Sequence, residues 1–341
     1  AIHSRYPIER QHLTTKHIHE PVFYHNIVAV GNFGHTLLQN CLPAVVSMRR
    51  SPLKHEGIFR TIVGNDCKNC GLPDPPTQSC MDGFGSFGYA PCETLGKAVY
   101  ASVTGYSMTF SRDLFAANTS LIHFAQVVVG FPSGDAFDLL HNPNGYDFVQ
   151  EKRIIRKRAL EHIQFDKGKS PHQISILVYC KDVSVNGRHG NTFQNCSEFL
   201  TTLGYSRSRI TQNITIRPLN FDNMNFSDQL TALQSADVFI SDGGSSSYYT
   251  HFLRHGSVSM TFPLCDEVCV CTHFFAERRA YLNPDVEHIP VDPHHVSCRM
   301  NASTEEKSAV KPLFSVKMSF LHEFIQAVSR VYRLKNANND M

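Results

Sequence analysis

The 341-residue sequence has no tryptophan, no uninterrupted run of about 20 apolar residues, and no long basic stripe interleaved with aromatic residues. It therefore contains neither a transmembrane segment nor a signal peptide that we can identify. Lys and Arg number 32 against 30 acidic residues. This near balance gives no reason to expect a nucleic acid partner. With 42% hydrophobic and 18% charged residues, the composition is that of a globular protein.

The cysteines are numerous and unevenly placed. Four of the 11 fall between Cys67 and Cys92, and three more lie between Cys265 and Cys271. Such clusters in loop-like sequence favour disulfides over zinc, because the Cys80–Cys92 spacing does not fit a zinc ribbon or finger. We therefore expect an oxidising compartment: the Golgi or endoplasmic reticulum lumen, or secretion. Any membrane attachment would come through an N-terminal anchor missing from this sequence.

The hydrophobic pattern predicts an α/β protein of two domains. In the second half, strands at 173–180, 210–218, 237–240 and 258–262 alternate with helices at 191–203, 226–235 and 245–254. This rhythm is typical of a parallel sheet. The first half is less regular, with strands expected at 23–30, 99–110 and 120–130 and helices at 35–48 and 148–164. We place the domains at 1–165, with a Cys-rich insert at 57–92, and at 166–313, followed by a C-terminal segment, 314–341, that is helical from 314 to 334.

The segment 235–251, SADVFISDGGSSSYYTH, carries the clearest chemical signal. A short apolar strand ends in a glycine turn, and three serines precede a predicted helix. Backbone N–H groups at a helix N-terminus, helped by serine hydroxyls, suit a phosphate group. The alternative is that Ser241 to Ser247 only caps a helix after a strand. Both interpretations stay open at this point.

Three segments together resemble family-61 glycosyltransferases, the group of plant β-1,2-xylosyltransferases and animal luminal N-acetylglucosaminyltransferases. The first is 31–43, GNFGHTLLQNCLP, which is similar to the family's Gly-His followed by an apolar helix. The second is the strand 174–179 with Arg188, Asn191 and the segment 195–199. The third is 224–244, where the family has a strand leading into a His-Gly-Ala-Gly turn. The segments occur in the family's order, and the similarity as a whole spans roughly residues 22–330.

The resemblance implies a GT-B architecture, in which two Rossmann-like domains face a cleft. The N-terminal domain would hold the acceptor, and the C-terminal domain a UDP-sugar that donates xylose, N-acetylglucosamine or arabinose to a glycan or glycoprotein. The last helix would return to the N-terminal domain. Transfer would invert the anomeric centre. The candidate site residues fall into three groups. The acceptor is assigned to Asn32 and Asn40, catalysis to His35 and Asp135, and the donor diphosphate to Arg188, Asp242, Gly243, Gly244, Ser245, Ser246 and Ser247.

The base of an inverting transfer must lie within about 3 Å of the acceptor hydroxyl. His35 follows a glycine break at a strand end and is the first candidate, with Asp135 in reserve. Each has a structural alternative: His35 as a capping or buried histidine, and Asp135 as a turn cap. Because the sequence has no Asp-x-Asp motif, we expect catalysis without a metal or other cofactor. Asp242 stands where the family has histidine and leaves room for a cation.

Two other classes of function compete with the transferase. The first is a transferase-like module that has lost activity and binds glycans or proteins, which the Asp242 substitution favours. The second is a serine hydrolase with Ser245 or Ser246 as nucleophile near His251, although the Gly-x-Ser-x-Gly elbow is absent. A dehydrogenase is weaker still, because no Gly-x-Gly-x-x-Gly follows a strand.

Overall fold

A computed structural model of the chain shows a mixed α/β protein built on parallel sheets. The structure describes residues 14–26, 36–50, 60–64, 90–114, 119–129, 149–161, 163, 173–179, 192–193, 196–206, 210, 213–221, 224–266, 268–273, 283, 285–300 and 312–339. Within these ranges, no helix is long and apolar enough to cross a membrane.

The first half contains a small parallel sheet flanked by helices. Its described strands are β1 (Thr14–Ile18), β2 (Val22–Asn26), β3 (Arg60–Gly64), β4 (Met108–Phe110), β5 (Thr119–Phe124) and β6 (Val127–Val129). Its described helices are α1 (Leu42–Arg50), which continues a π-helical segment Thr36–Cys41, α2 (Ala90–Thr104), α3 (Ser111–Leu114) and α4 (Val149–Leu160). Strands β4, β3, β2 and β6 pair in that order, all parallel, and β1 pairs with β5 alongside.

One sequence prediction in this half is wrong. The segment 99–110 was expected to be a strand, but residues up to Thr104 belong to α2, and only Met108–Phe110 is extended. Val99 and Val103 are buried four residues apart and share one helix face with Tyr100. The β-branched valines imitate a strand locally, whereas their spacing follows the helical repeat.

The second half forms a five-stranded parallel sheet. The alternating pattern predicts the parallel arrangement and four of the strands but misses Glu287–Pro290, and the helix expected from residue 191 begins only at Cys196. Its strands are β7 (Gln173–Tyr179), β9 (Asn213–Leu219), β10 (Val238–Ser241), β11 (Val258–Thr261) and β14 (Glu287–Pro290). They lie in the order β14-β11-β10-β7-β9. Counted along the chain, this is the 2-1-3-4-5 order of flavodoxin-like doubly wound folds.

Helices cover both faces of this sheet, and the side-chain alternation of its strands decides which helix packs where. The helices are α5 (Cys196–Tyr205), α6 (Phe226–Gln234), the 3-10 helix 245–252 (Ser245–Phe252) and α7 (Phe320–Asn339). Ile174 and Ile176 belong to one core cluster with α5 and α7, whereas Leu177 belongs to another with α6 and the 3-10 helix. Each fully buried side chain of this size contributes about 1.5–3 kcal/mol. The second cluster continues into α1, α2 and α4 and so joins the two halves.

Short strands extend beyond the second sheet. They are β8 (Thr192–Phe193), β12 (Leu264–Cys265), β13 (Cys271–Thr272), β15 (Val296–Met300) and β16 (Pro312–Val316). Because 312–316 is a strand, the helix expected from residue 314 begins only at Phe320. Its buried face packs on the second sheet. The expected return of the C-terminal segment to the first half stays a prediction.

Disulfides, expected from the cysteine pattern, are present at the end of the second half. Cys265 is bonded to Cys271, and Cys269 to Cys298. Cys41 is free and buried, and burial raises the pKa of its thiol. The pairing expected among Cys67, Cys70, Cys80 and Cys92 falls outside the described side chains.

Candidate functional site at the carboxyl edge of the second sheet

The strand order reverses between β7 and β10. From β7 the chain crosses to β9 on one side, and it later returns to place β10 on the other side. In open parallel sheets, ligands bind beyond the carboxyl ends of the strands at such a reversal. Strand β10 ends at Ser241, so the Asp242-Gly243-Gly244 turn lies at this edge.

The turn is pressed against the segment that follows β11. A Cβ atom added to Gly243 would lie 2.7 Å from the Phe262 carbonyl oxygen and 3.0 Å from Leu264 Cγ. Since real Cβ contacts are essentially never that short, only glycine fits at this position. The Gly-Gly sequence, which predicts a tight turn, is therefore also required by the close approach of two backbone segments.

The Asp242 carboxylate is buried, with 2% of the residue exposed, and it bonds to its own turn. Oδ1 accepts a 3.1 Å hydrogen bond from the Gly244 N–H and another, very short, from the Ser246 hydroxyl. The Ser247 hydroxyl donates to the Gly244 carbonyl at 2.8 Å. The hydroxyls of Ser246 and Ser247 thus have acceptors within the turn.

The helix that follows is short and tightly wound. Its first intrahelical bond runs from the Ser247 N–H to the Gly244 carbonyl at 3.0 Å. The N–H groups before it point out of the N-terminus, where the helix dipole favours negative charge. The Asp242 carboxylate already lies at this N-terminus and supplies such a charge. This geometry resembles the capping alternative left open by the sequence.

Two hydroxyls beside the turn have no partner. Ser241 at the end of β10 and Thr261 at the end of β11 are register partners on the same sheet face. Both are buried, and neither side-chain oxygen has a hydrogen-bond partner in the described part of the chain. A buried hydroxyl without a partner costs about 1–3 kcal/mol, so a water or a ligand atom at this edge would stabilise both.

An aromatic stack lies at the carboxyl ends of β7 and β9. Phe221 stacks on Tyr179 at 5.0 Å and on Tyr249 at 3.9 Å between ring centroids. The Tyr249 hydroxyl donates to Gln229 Oε1 at 2.7 Å. Gln229 is 1% exposed, and its amide donates to the carbonyls of Phe221 and Met224. Tyr179, Phe221 and Tyr249 are therefore fixed in place by packing and by hydrogen bonds to Gln229.

The remaining site residues predicted from the sequence are spread over the chain. His35, Asn32, Asp135 and Arg188 lie outside the described residues. Asn40 belongs to the π-helical segment Thr36–Cys41 in the first half, and Ser245 begins the 3-10 helix. The structure therefore brings together the Asp242–Ser247 group, and the assignments of the others stay predictions.

The serine hydrolase alternative is not assembled by Ser246 and His251, because the two side chains have different partners. Ser246 donates to Asp242, whereas the His251 ring bonds to the backbone of Lys152 in α4. Burial, followed by the nearby charges of Lys152 and Arg156, lowers the pKa of His251 to about 3. His251 is therefore neutral at physiological pH.

The basic group on α4 is more than the solvated face that its charge suggests. Lys152 is buried, and the half-buried Arg156 donates from Nη2 to the Leu253 carbonyl at 2.8 Å. Lys152 lies three and seven residues before the buried Ile155 and Ala159, so helical spacing alone places it on the packed face. Helical spacing was therefore the sequence signal that could have shown Lys152 to be buried. Arg153 and Lys157, by contrast, are exposed.

No protein-family model matches the chain, and no curated protein matches it.

Proposed function

We propose that this chain is an inverting glycosyltransferase that moves a sugar from a UDP-sugar to a glycan or glycoprotein acceptor. The observation that carries the proposal is the set of polar groups at the reversal point of the second sheet. There the Asp242–Gly244 turn lies beside the two unpartnered hydroxyls of Ser241 and Thr261. The sheet itself, with five parallel strands in the 2-1-3-4-5 order, is of the kind that binds nucleotides at this edge.

The donor would lie with its diphosphate at the Gly244 end of the turn. Gly244 is the half-buried member of the turn, whereas Asp242 and Gly243 are buried. Backbone N–H groups there would stabilise the negative charge that develops on the leaving diphosphate. Arg188 would add a cation, and His35, with Asp135 in reserve, would remove the proton from the acceptor hydroxyl. A GT-B arrangement of the two halves, with the donor between them, belongs to the same proposal.

A catalytically inactive binding module is the second candidate, and one observation favours it. The Asp242 carboxylate lies at the N-terminus of the 3-10 helix, where a phosphate would otherwise bind. A carboxylate at that position repels a diphosphate. Incubation with UDP-xylose, UDP-N-acetylglucosamine and UDP-arabinose separates the two candidates. UDP release above a no-enzyme control supports the transferase. Ligand-induced stabilisation by glycans with no UDP release supports the binding module.

The hydroxyl of Thr261 gives a residue-level test. Thr261→Val keeps the shape and removes a buried hydroxyl that has no partner, so the free energy of unfolding should stay unchanged or rise slightly. If the hydroxyl bonds to the donor, UDP affinity should fall about tenfold, which is the effect of losing about 1.4 kcal/mol of binding. Isothermal titration calorimetry with UDP measures this loss.

The matched control for Thr261→Val is Thr250→Val. The Thr250 hydroxyl bonds to Ser259 at 2.8 Å on the same sheet face and is already satisfied. We expect it to lower stability and to leave UDP affinity unchanged. If wild type binds UDP and both variants bind it equally well, the donor does not lie at this edge. If wild type binds no UDP-, GDP- or CMP-sugar in a thermal-shift screen, the transferase proposal is wrong.

A further inference from the structure

Four cysteines form one cluster just beyond the carboxyl edge of the second sheet. The sulfur atoms of Cys265, Cys271 and Cys298 all lie within 4.8 Å of one another. Cys269 is bonded to Cys298, so its sulfur lies next to this group. The four residues are joined as two disulfides, which lie side by side.

Backbone pairing holds two of these cysteines together independently of the disulfides. Cys265 and Cys271 are directly opposed across the antiparallel pair β12–β13, and Cys298 lies in β15, which pairs with β16. The connecting loop is closed by Asp266. Its Oδ1 accepts from the N–H groups of Val268 at 3.0 Å and Val270 at 2.8 Å.

The loop also reverses direction at Cys269, which has a φ of 61°. This left-handed conformation is uncommon for a residue other than glycine. It reverses the chain direction between Cys265 and Cys271. The Cys269 N–H donates to the Asp266 carbonyl at 3.0 Å, and the Asp266 N–H donates to the Val270 carbonyl at 3.0 Å. These bonds do not depend on the sulfur atoms, so the loop retains contacts that fix its shape when the disulfides are reduced.

Four convergent thiolates are a complete ligand set for structural zinc. Zinc binds cysteine sulfur at about 2.3 Å in a tetrahedron, which places the sulfur atoms about 3.8 Å apart. The three mutually close sulfur atoms already lie within 4.8 Å, so small side-chain rotations bring them to that spacing. We propose that, in the reduced protein, Cys265, Cys269, Cys271 and Cys298 bind one zinc ion as a closed tetrathiolate site.

Conversion of the two disulfides to a zinc site requires reduction followed by metal binding. Two disulfides take up four electrons and four protons from two equivalents of a dithiol reductant and give four thiols. Zinc then displaces the four thiol protons and binds the thiolates, so metal binding is favoured by higher pH. The same loop is thus braced by two disulfides in an oxidising compartment and by zinc in a reducing one. Its first strand begins at Leu264, which contacts Gly243, so either form supports the turn of the candidate site.

Zinc protection of the thiols tests the proposal in the unaltered protein. The full chain is reduced with a dithiol, freed of the reductant without oxygen, and treated with iodoacetamide with or without one equivalent of zinc chloride. Mass spectrometry of the digested protein gives the alkylation rate at each cysteine. We expect zinc to slow alkylation of Cys265, Cys269, Cys271 and Cys298 at least tenfold. Equal rates at these four with and without zinc, at every zinc level up to saturation, overturn the proposal.

Cobalt binding gives an independent measurement. Tetrahedral cobalt thiolate has intense visible absorption, so a cobalt titration of the reduced chain counts thiolate sites. Because Cys67, Cys70, Cys80 and Cys92 could also bind metal, the result is read as a difference between variants. Cys298→Ser should bind one cobalt ion fewer than wild type. Cys41→Ala, which removes the buried free cysteine of the first half, should bind the same number. An unchanged count in Cys298→Ser overturns the proposal.

Discussion

Strand β10 has a buried aspartate at each end, and the two are held in different ways. Asp237, just before the strand, is 1% exposed, and Asp242, just after it, is 2% exposed. Asp237 bonds to residues from distant parts of the chain. It pairs with Lys335 of α7 at 2.9 Å and with Arg254, and it accepts the Ser175 N–H of β7 at 2.7 Å. Asp242 bonds to Gly244 and Ser246 of its own turn.

This difference separates a structural carboxylate from a candidate functional one. The Asp237 bonds tie α7, β7 and β10 together at the amino edge of the sheet, which is the edge that ligands do not use. The bonds from Gly244 and Ser246 to Asp242 shape a turn at the carboxyl edge. Loss of Asp237 should therefore act on the whole fold, whereas loss of the Asp242 charge should act on the turn and on ligand binding.

The largest effect is expected for Asp237→Asn. The substitution keeps the shape but removes the negative charge that Lys335 and Arg254 share. Loss of one partner from a buried ion pair costs about 3–5 kcal/mol, and we expect the lower end because both cations are partly exposed. Urea denaturation measures the free energy of unfolding.

The matched control is Asp113→Asn. Asp113 pairs with Lys97 at 3.5 Å on the surface, with side chains 45% and 41% exposed. Such pairs contribute at most about 1 kcal/mol. If the two substitutions cost the same, Asp237 does not hold the amino edge together, and the contrast with Asp242 is lost.

The next largest effect on stability is expected for Gln229→Leu in α6. This substitution tests whether the hydrogen bonds of the uncharged Gln229 side chain stabilise the carboxyl edge of the sheet. The change leaves the Tyr249 hydroxyl and two backbone carbonyls without their partner. A buried polar group left unsatisfied costs about 1–3 kcal/mol, and we expect a total of about 3 kcal/mol by urea denaturation. Thr231→Ala, at an exposed position of the same helix, should change stability by less than about 0.5 kcal/mol. If Gln229→Leu lowers the free energy of unfolding by no more than Thr231→Ala does, the hydrogen bonds of Gln229 do not stabilise this edge.

The third effect is a pH dependence centred on His251, near the end of the 3-10 helix. Burial and the charges of Lys152 and Arg156 lower the pKa of His251 from 6.5 to about 3. Below pH 6.5 the unfolded chain binds a proton that the folded chain does not, so stability falls as the pH falls toward 3. Between pH 7 and pH 5 the loss from this residue is about 2 kcal/mol.

His251→Gln isolates the contribution of His251 from that of the other histidines. The free energy of unfolding is measured from pH 7 to pH 5 for both proteins. We expect a shallower decline for the variant, and the difference between the two curves to grow as the pH falls. Parallel curves mean that His251 titrates alike in the folded and unfolded chain.

The sequence predicts the second half well because its signals are local. Each buried strand there is short and apolar, and each is separated from the next by an amphipathic helix, so β7, β10 and β11 are found within a residue or two. In the first half, the sequence-based prediction fails where residue type and residue spacing conflict. In α2, for example, Val99 and Val103 have strand-forming side chains at helical spacing. Strand order is a long-range property, and the pattern gives only the parallel alternation.

The sequence predicts only part of the candidate site, because only part of the site is contiguous in the chain. The glycine turn and serines at 242–247 form a contiguous motif, so the sequence alone locates them. The hydroxyls of Ser241 and Thr261 are 20 positions apart and become neighbours only through the pairing of β10 with β11. The Asp237 network links Asp237 to Ser175, Arg254 and Lys335, which leaves no contiguous motif. Burial of Lys152 was readable from helical spacing, but its charge favoured a surface position.

The smallest effect on stability is expected for Asp242→Asn, and it sharpens the comparison with Asp237 most directly. Asparagine keeps an oxygen that accepts from the Gly244 N–H and the Ser246 hydroxyl, so the free energy of unfolding should change by about 1 kcal/mol or less. The variant also removes a negative charge from the N-terminus of the 3-10 helix, which should strengthen binding of an anionic diphosphate at Gly244. We expect calorimetry to show UDP binding about tenfold tighter than in wild type, while Asp237→Asn, assayed under folded conditions, leaves UDP affinity unchanged. Weaker UDP binding by Asp242→Asn would mean that the carboxylate contacts the donor through a cation, and unchanged binding would place the diphosphate away from this turn.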